Sequence, residues 1–141
     1  MNKLLLIIFG ALLVSACTSV PSKSALTPLD LTADKDAVDD YWLAYRKATP
    51  VYPALAKQQK LSGCVEFSLL IDANGRAVAP TIIKSFPVGV FDEQATIAIE
   101  KWVWVPTQTN TERQPVMTTF QHDFVVRQSS NSKAAYDACK I

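Results

Sequence analysis

The 141-residue chain carries 14 Lys and Arg against 13 Asp and Glu, a formal net charge of +1, with 49% hydrophobic residues. That length allows one domain with short extensions. No basic block appears, so a nucleic-acid backbone would meet no positive face, and nucleic-acid binding is excluded as a function class.

Residues 1–16 read as a targeting segment. Lys3 gives a positive start, and the apolar run from Leu4 to Val14 is shorter than the roughly 20 residues a membrane-spanning helix needs. Val14-Ser15-Ala16-Cys17 resembles a bacterial lipobox, so lipidation of Cys17 is expected, with Cys17 as the new N-terminus. An ordinary cleaved signal, or an uncleaved anchor with an incidental cysteine, is the alternative. Removal of residues 1–16 takes away Lys3 and leaves 13 basic and 13 acidic residues. Thr18, rather than Asp, follows Cys17; by resemblance to Gram-negative lipoproteins this implies outer-membrane sorting, with the domain facing the periplasm. Residues 17–33 are rich in Ser, Thr and Pro and read as a tether. Residues 34–48 are expected to hold an N-terminal helix over 34–47. Val38, Tyr41 or Trp42, and Tyr45 would form its stripe, with four aspartates early and Arg46 and Lys47 late to suit its dipole.

The main domain is expected over 49–127. Thr49-Pro50-Val51-Tyr52-Pro53 is extended, and Pro53 opens a short helix running to about residue 60. Val65, Phe67, Leu69 and Ile71 alternate with Glu66, Ser68, Leu70 and Asp72, the period of a half-buried strand. Ala73-Asn74-Gly75-Arg76 predicts a hairpin with a type I′ turn. A second strand over 78–85 ends at Phe86-Pro87-Val88-Gly89. Phe91, Ala95, Ala98 and Trp102 then make one helical stripe opened by Asp92 and Glu93, with Pro106 just beyond its end. A polar loop over 107–114 leads to a last strand over 116–127. The tail, 128–141, carries a short helix over 133–139 that Ser132 can cap.

Tyr52-Pro53, Ala56, Gly63, the Asp72/Gly75 turn, Ser85, Pro87, Phe91-Asp92, Ala95, Ala98 and Trp102-x-Trp104-x-Pro106 together resemble the TonB C-terminal domain. The resemblance covers about residues 50–127. It implies an α+β fold with two layers: a three-stranded antiparallel sheet in the order 2-1-3, with helices packed on one face. It also implies a domain that binds a short peptide of an envelope or outer-membrane transporter protein by adding it as a strand, in support of transport. The inner-membrane helix and long spacer of energy-transducing members are not expected here if Cys17 is processed. A true energy transducer with an uncleaved anchor is one alternative; a structural envelope lipoprotein without a peptide ligand is another.

Cys64 and Cys139 remain once Cys17 is assigned to lipid. In an oxidising compartment an even remainder suggests a disulfide, with two free thiols as the alternative. His122, the one histidine, and Asp123 point to opposite faces of a strand, so they form no catalytic dyad. No nucleophile triad, phosphate loop, paired carboxylates or metal spacing is evident, so no enzyme, cofactor or metal site is expected, and no oligomeric state is fixed. Pro80 and Lys84 blunt the edge of the second strand. The expected partner edge is therefore the last strand: Val116, Met117, Thr118, Thr119, Phe120, Gln121 and His122. By the resemblance, Tyr52 and Pro53 flank its groove. The alternative is an edge covered by Ser129 to Ile141 of the same chain.

Overall fold

A computed structural model describes residues 26–141. The targeting segment, Cys17 and most of the tether lie outside the described residues.

The central strand is β3, Gly63–Ile71, whose Val65, Phe67, Leu69 and Ile71 are all buried on one face. β4, Ala77–Phe86, and β6, Val116–Phe124, flank it antiparallel. The order 2-1-3 expected for these three strands holds. The sheet has a fourth member, β1 (Leu29–Asp30), which pairs parallel with the start of β6, giving β1-β6-β3-β4. The turn between β3 and β4 is not type I′: only Gly75 has positive φ, +71°. The Asp72 carbonyl accepts from Gly75 N at 2.9 Å, and Asp72 Oδ1 accepts from Asn74 N and Arg76 N, both at 2.9 Å. This is a three-residue loop with glycine at its left-handed position. A Cβ at Gly75 would also lie 2.0 Å from the Trp104 carbonyl oxygen, so the turn is docked as well as bent.

The expected helix over 34–47 is replaced by a 3-10 helix, Lys35–Asp40, followed by strand β2, Trp42–Arg46. Trp42 is fully buried whereas Tyr45 is 76% exposed, so they do not share one stripe. Aromatic residues suit a strand, and β2 finds its ladder in β5, Val103–Pro106, pairing Trp42 with Pro106 and Ala44 with Trp104. The main helix α2 correspondingly stops early, at Asp92–Ile99. Trp102 lies beyond it, and the alternating residues after Trp102 leave the helix for the second, two-stranded sheet.

One layer of the core joins α2 to the inner sheet face. Phe91, Ala95 and Ile99 are buried with Val65, Phe67 and Phe124; Phe91 stacks on Phe124 with ring centres 4.3 Å apart. The Ser85 hydroxyl donates to Asp92 at the start of α2. A Cβ at Gly63 would lie 1.8 Å from the Phe86 carbonyl oxygen, which accounts for glycine at the head of β3. The short helix α1, Ala54–Gln58, seats Ala56 in the same core.

Helices do not all pack on one face. Cys64 points away from Val65, and it is disulfide-bonded to Cys139 at the end of α3, Ser132–Cys139. The tail helix therefore sits against the outer face. Asn131, not Ser132, is its cap residue, and its amide ties instead to Ser62: Ser62 N donates to Asn131 Oδ1, and Nδ2 donates to the Ser62 carbonyl, both at 2.9 Å. Among the described residues, no helix is long and apolar enough to cross a membrane.

Candidate functional site

β6 alternates cleanly. Val116, Thr118, His122 and Phe124 are buried on the core face, whereas Met117 and Asp123 are exposed. Its register with β3 is regular from Gly63–Phe124 to Ile71–Val116. Its other edge is read from β1: Leu29 N donates to the Pro115 carbonyl at 2.9 Å and Leu31 N to the Met117 carbonyl at 2.8 Å. Backbone groups of alternate residues point the same way along a strand. Thr119, Gln121 and Asp123 therefore turn their N–H and C=O groups outward, past the end of β1. Thr118, Phe120 and His122 turn theirs toward β3.

Beside these outward groups runs a groove of about 390 Å³, whose lining includes Lys35, Val38, Lys47, Trp102, Phe120 and Gln121. The 3-10 helix forms one wall and the β6 edge the other. Trp102 is the floor. Its ring centre is 4.4 Å from that of Phe120, its Nε1–H donates to the Ala48 carbonyl at 3.0 Å, and Lys47 Nζ stands 5.3 Å from its centroid. An extended chain on this edge would gain backbone hydrogen bonds from β6 and seat alternate side chains in the groove.

The opposite edge of the sheet is a poor template. β4 has Pro80, Lys84, two register irregularities against β3, and Ala79 at φ +47°. Each interrupts the row of backbone groups a guest strand needs.

The structure does not bring all the sequence-derived residues together. Val116 and Met117 are already engaged by β1, so the available stretch begins after them. Phe120 and Gln121 line the groove with Thr118 and Thr119. Tyr52 does not. Its hydroxyl donates to the Leu61 carbonyl, and its ring meets Phe91 and Phe124 edge-on at 5.6 and 5.8 Å. Burial raises the pKa of that hydroxyl. Tyr52 therefore serves the core near the Phe124 end of β6, and Pro53 opens α1 next to it. Sequence reasoning missed Lys35, Val38 and Lys47, because the helix assigned to 34–47 hid the wall they build. It also missed Leu29 and Leu31, whose only local signal is the alternation Leu29-Asp30-Leu31.

His122 is a core residue. It is 6% exposed, with ring centres of Phe120, Trp102 and Phe67 at 5.0, 5.5 and 6.3 Å. Its Nε2 has no hydrogen-bond partner among the described residues. Desolvation pushes its pKa down to about 4 against the opposing pull of the Asp123 carboxylate, so the ring is neutral at pH 7. Among the described residues, no group of three or more His, Cys, Asp or Glu could hold a metal ion.

Comparison with known proteins places these features in context. Residues 48–126 match the family model described as Gram-negative bacterial TonB protein C-terminal. Protein TonB of Vibrio cholerae serotype O1 (strain ATCC 39315 / El Tor Inaba N16961) is 26% identical over 86 residues, which is 61% of this chain and 35% of that protein. The chain thus spans about a third of the length of this curated relative. The solution NMR structure of the Pseudomonas aeruginosa TonB CTD superimposes with a TM-score of 0.53 at 22% identity, covering 70% of this chain and 94% of that one, a likeness of fold.

Proposed function

The chain belongs to the family of Gram-negative bacterial TonB protein C-terminal domains, and from that premise we propose that it is a periplasm-facing module that binds an envelope or outer-membrane transporter protein. The bound part of the partner is an extended segment, added as a strand to β6 at Thr119, Gln121 and Asp123. Binding of this kind supports transport across the envelope and requires no chemistry of the domain itself. The observation that carries the proposal is the contrast between the two sheet edges. β6 offers a regular row of outward backbone groups beside an aromatic-floored groove, whereas β4 is interrupted by a proline and bulges.

The test is Thr119→Pro. That position lies on the outward row, so proline removes a donor to the guest while the ladder to β3 keeps its bonds. The expected outcome is a folded protein that no longer retains synthetic extended peptides of outer-membrane transporters from the same organism. Retention equal to the parent's would refute the proposal.

The proposed anchor is a lipid on Cys17, supported by Val14-Ser15-Ala16-Cys17 after a short apolar run. It would hold the protein at the outer membrane. Intact mass of the native protein decides it: loss of residues 1–16 with added acyl mass is expected. A species retaining Met1 and carrying no acyl group would favour an energy transducer with an uncleaved anchor.

A further inference from the structure

The partner edge of β6 is already begun by the chain itself. β1 adds to it in the parallel sense, with Leu29 N and Leu31 N bonded to the Pro115 and Met117 carbonyls. The Gln114 side chain holds the same segment, its Nε2 donating to the Thr27 carbonyl at 2.7 Å. Leu31 packs against the core cluster, while Asp30 between the leucines is exposed. These are the elements of strand recognition: a backbone ladder, with an apolar side chain turned inward beside an acidic one turned out.

The added strand ends after one step for a visible reason. Asp30 Oδ1 accepts from both Thr32 N, at 2.9 Å, and Thr32 Oγ1, at 2.7 Å. The Leu31 carbonyl accepts from Asp34 N at 3.1 Å. A strand continuing in register would instead offer that carbonyl to the outward N–H of Thr119. The turn diverts it. The chain then passes into the 3-10 helix, anchored by buried Val38, with Lys35 Nζ 3.6 Å from Glu66.

We infer that residues 27–32 are an internal stand-in for the guest strand. A partner segment that binds the whole β6 edge in the parallel sense must displace them, while Val38 keeps the groove wall in place. The inference rests on the proposed strand-addition function and adds to it a competitor built into the chain. It also defines the guest: an extended segment with apolar residues at alternate positions, running parallel to β6. The hold on the competitor is light enough to yield, since it consists of the backbone bonds of a two-residue ladder, one side-chain bond from Gln114 and the packing of Leu31 at the sheet edge.

The probe is a synthetic peptide of residues 26–33, Leu-Thr-Pro-Leu-Asp-Leu-Thr-Ala, titrated into the full chain and into Leu29→Pro and Leu31→Pro variants. Each variant deletes one donor that holds β1. Slow exchange of the inward amides of Phe120 and His122 confirms the fold, and either variant suffices if the other does not fold. The expected result is binding about ten-fold tighter in the variants than in the parent, the gain from restoring one or two backbone bonds. Adding Thr119→Pro should then abolish it. Equal binding by parent and variants, or no binding by any of them, overturns the stand-in and leaves the edge proposal intact. Tight binding that survives Thr119→Pro shows that the peptide uses another surface. It overturns the stand-in and counts against the edge as well.

Discussion

Truncating Trp102 to alanine tests how the groove floor is built. The side chain is 4% exposed and closes on Phe120, Trp104 and His122 with ring centres 4.4 to 5.5 Å away. Removing a buried tryptophan costs about 3–5 kcal/mol in lost transfer and cavity terms. The variant also strands the Ala48 carbonyl, which accepts the indole N–H at 3.0 Å, adding up to about 1 kcal/mol where water does not replace it. A total near 5 kcal/mol is expected. A domain the size of residues 26–141 has an unfolding entropy of about 0.24 kcal/mol per kelvin, so Tm should fall by roughly 20 °C. Thermal melts followed by far-UV circular dichroism, with urea titrations for the free energy, measure this directly. A Tm within about 5 °C of the parent's, with peptide binding lost, would show that Trp102 contributes contact area to the guest rather than support to the fold, against the general scale for core truncations.

The disulfide gives a second expectation. It closes a loop with a sequence separation of 75, so serine at both Cys64 and Cys139 should cost about 4.5 kcal/mol in the chain-entropy account. A urea midpoint unchanged by the double substitution would contradict it. His122 gives a third. Its folded pKa of about 4 lies below the unfolded value of 6.5, so the unfolded chain takes up a proton first. The stability linked to His122 is full above pH 6.5 and is lost as pH falls toward 4. His122→Phe should flatten that part of the pH profile, and parallel profiles for variant and parent would refute the assignment.

The strands of the main sheet were legible because their signals are local. The alternation from Val65 to Ile71, the glycine turn and the proline-marked loop after Phe86 each lie within a few residues. The pairing of Cys64 with Cys139 in the structure also agrees with simple cysteine arithmetic. The elements that were misread have ambiguous local patterns and distant partners. Val38, Trp42 and Tyr45 fit a helical stripe, while Trp42-Leu43-Ala44-Tyr45 fits a strand equally well. Only the ladder to Val103–Pro106, some sixty residues on, decides between them. The same ladder ends α2 at Ile99, although Trp102 continues its spacing. β1 is two residues long and rests on β6, far along the chain, so composition alone describes its neighbourhood as a tether. The groove wall was lost with the misread helix. The proposed partner edge was legible only as a strand without proline or lysine; its inward and outward positions were not. They follow from which carbonyls Leu29 and Leu31 reach.

Backbone amide exchange along β6, with and without a bound transporter peptide, tests the central claim most directly. In the free protein the amides of Phe120 and His122, bonded to β3, should exchange slowly, and those of Thr119, Gln121 and Asp123 quickly. Bound peptide should slow the three outward amides selectively and leave β4 unchanged. New protection on β4, with none at Thr119, Gln121 and Asp123, would contradict the account.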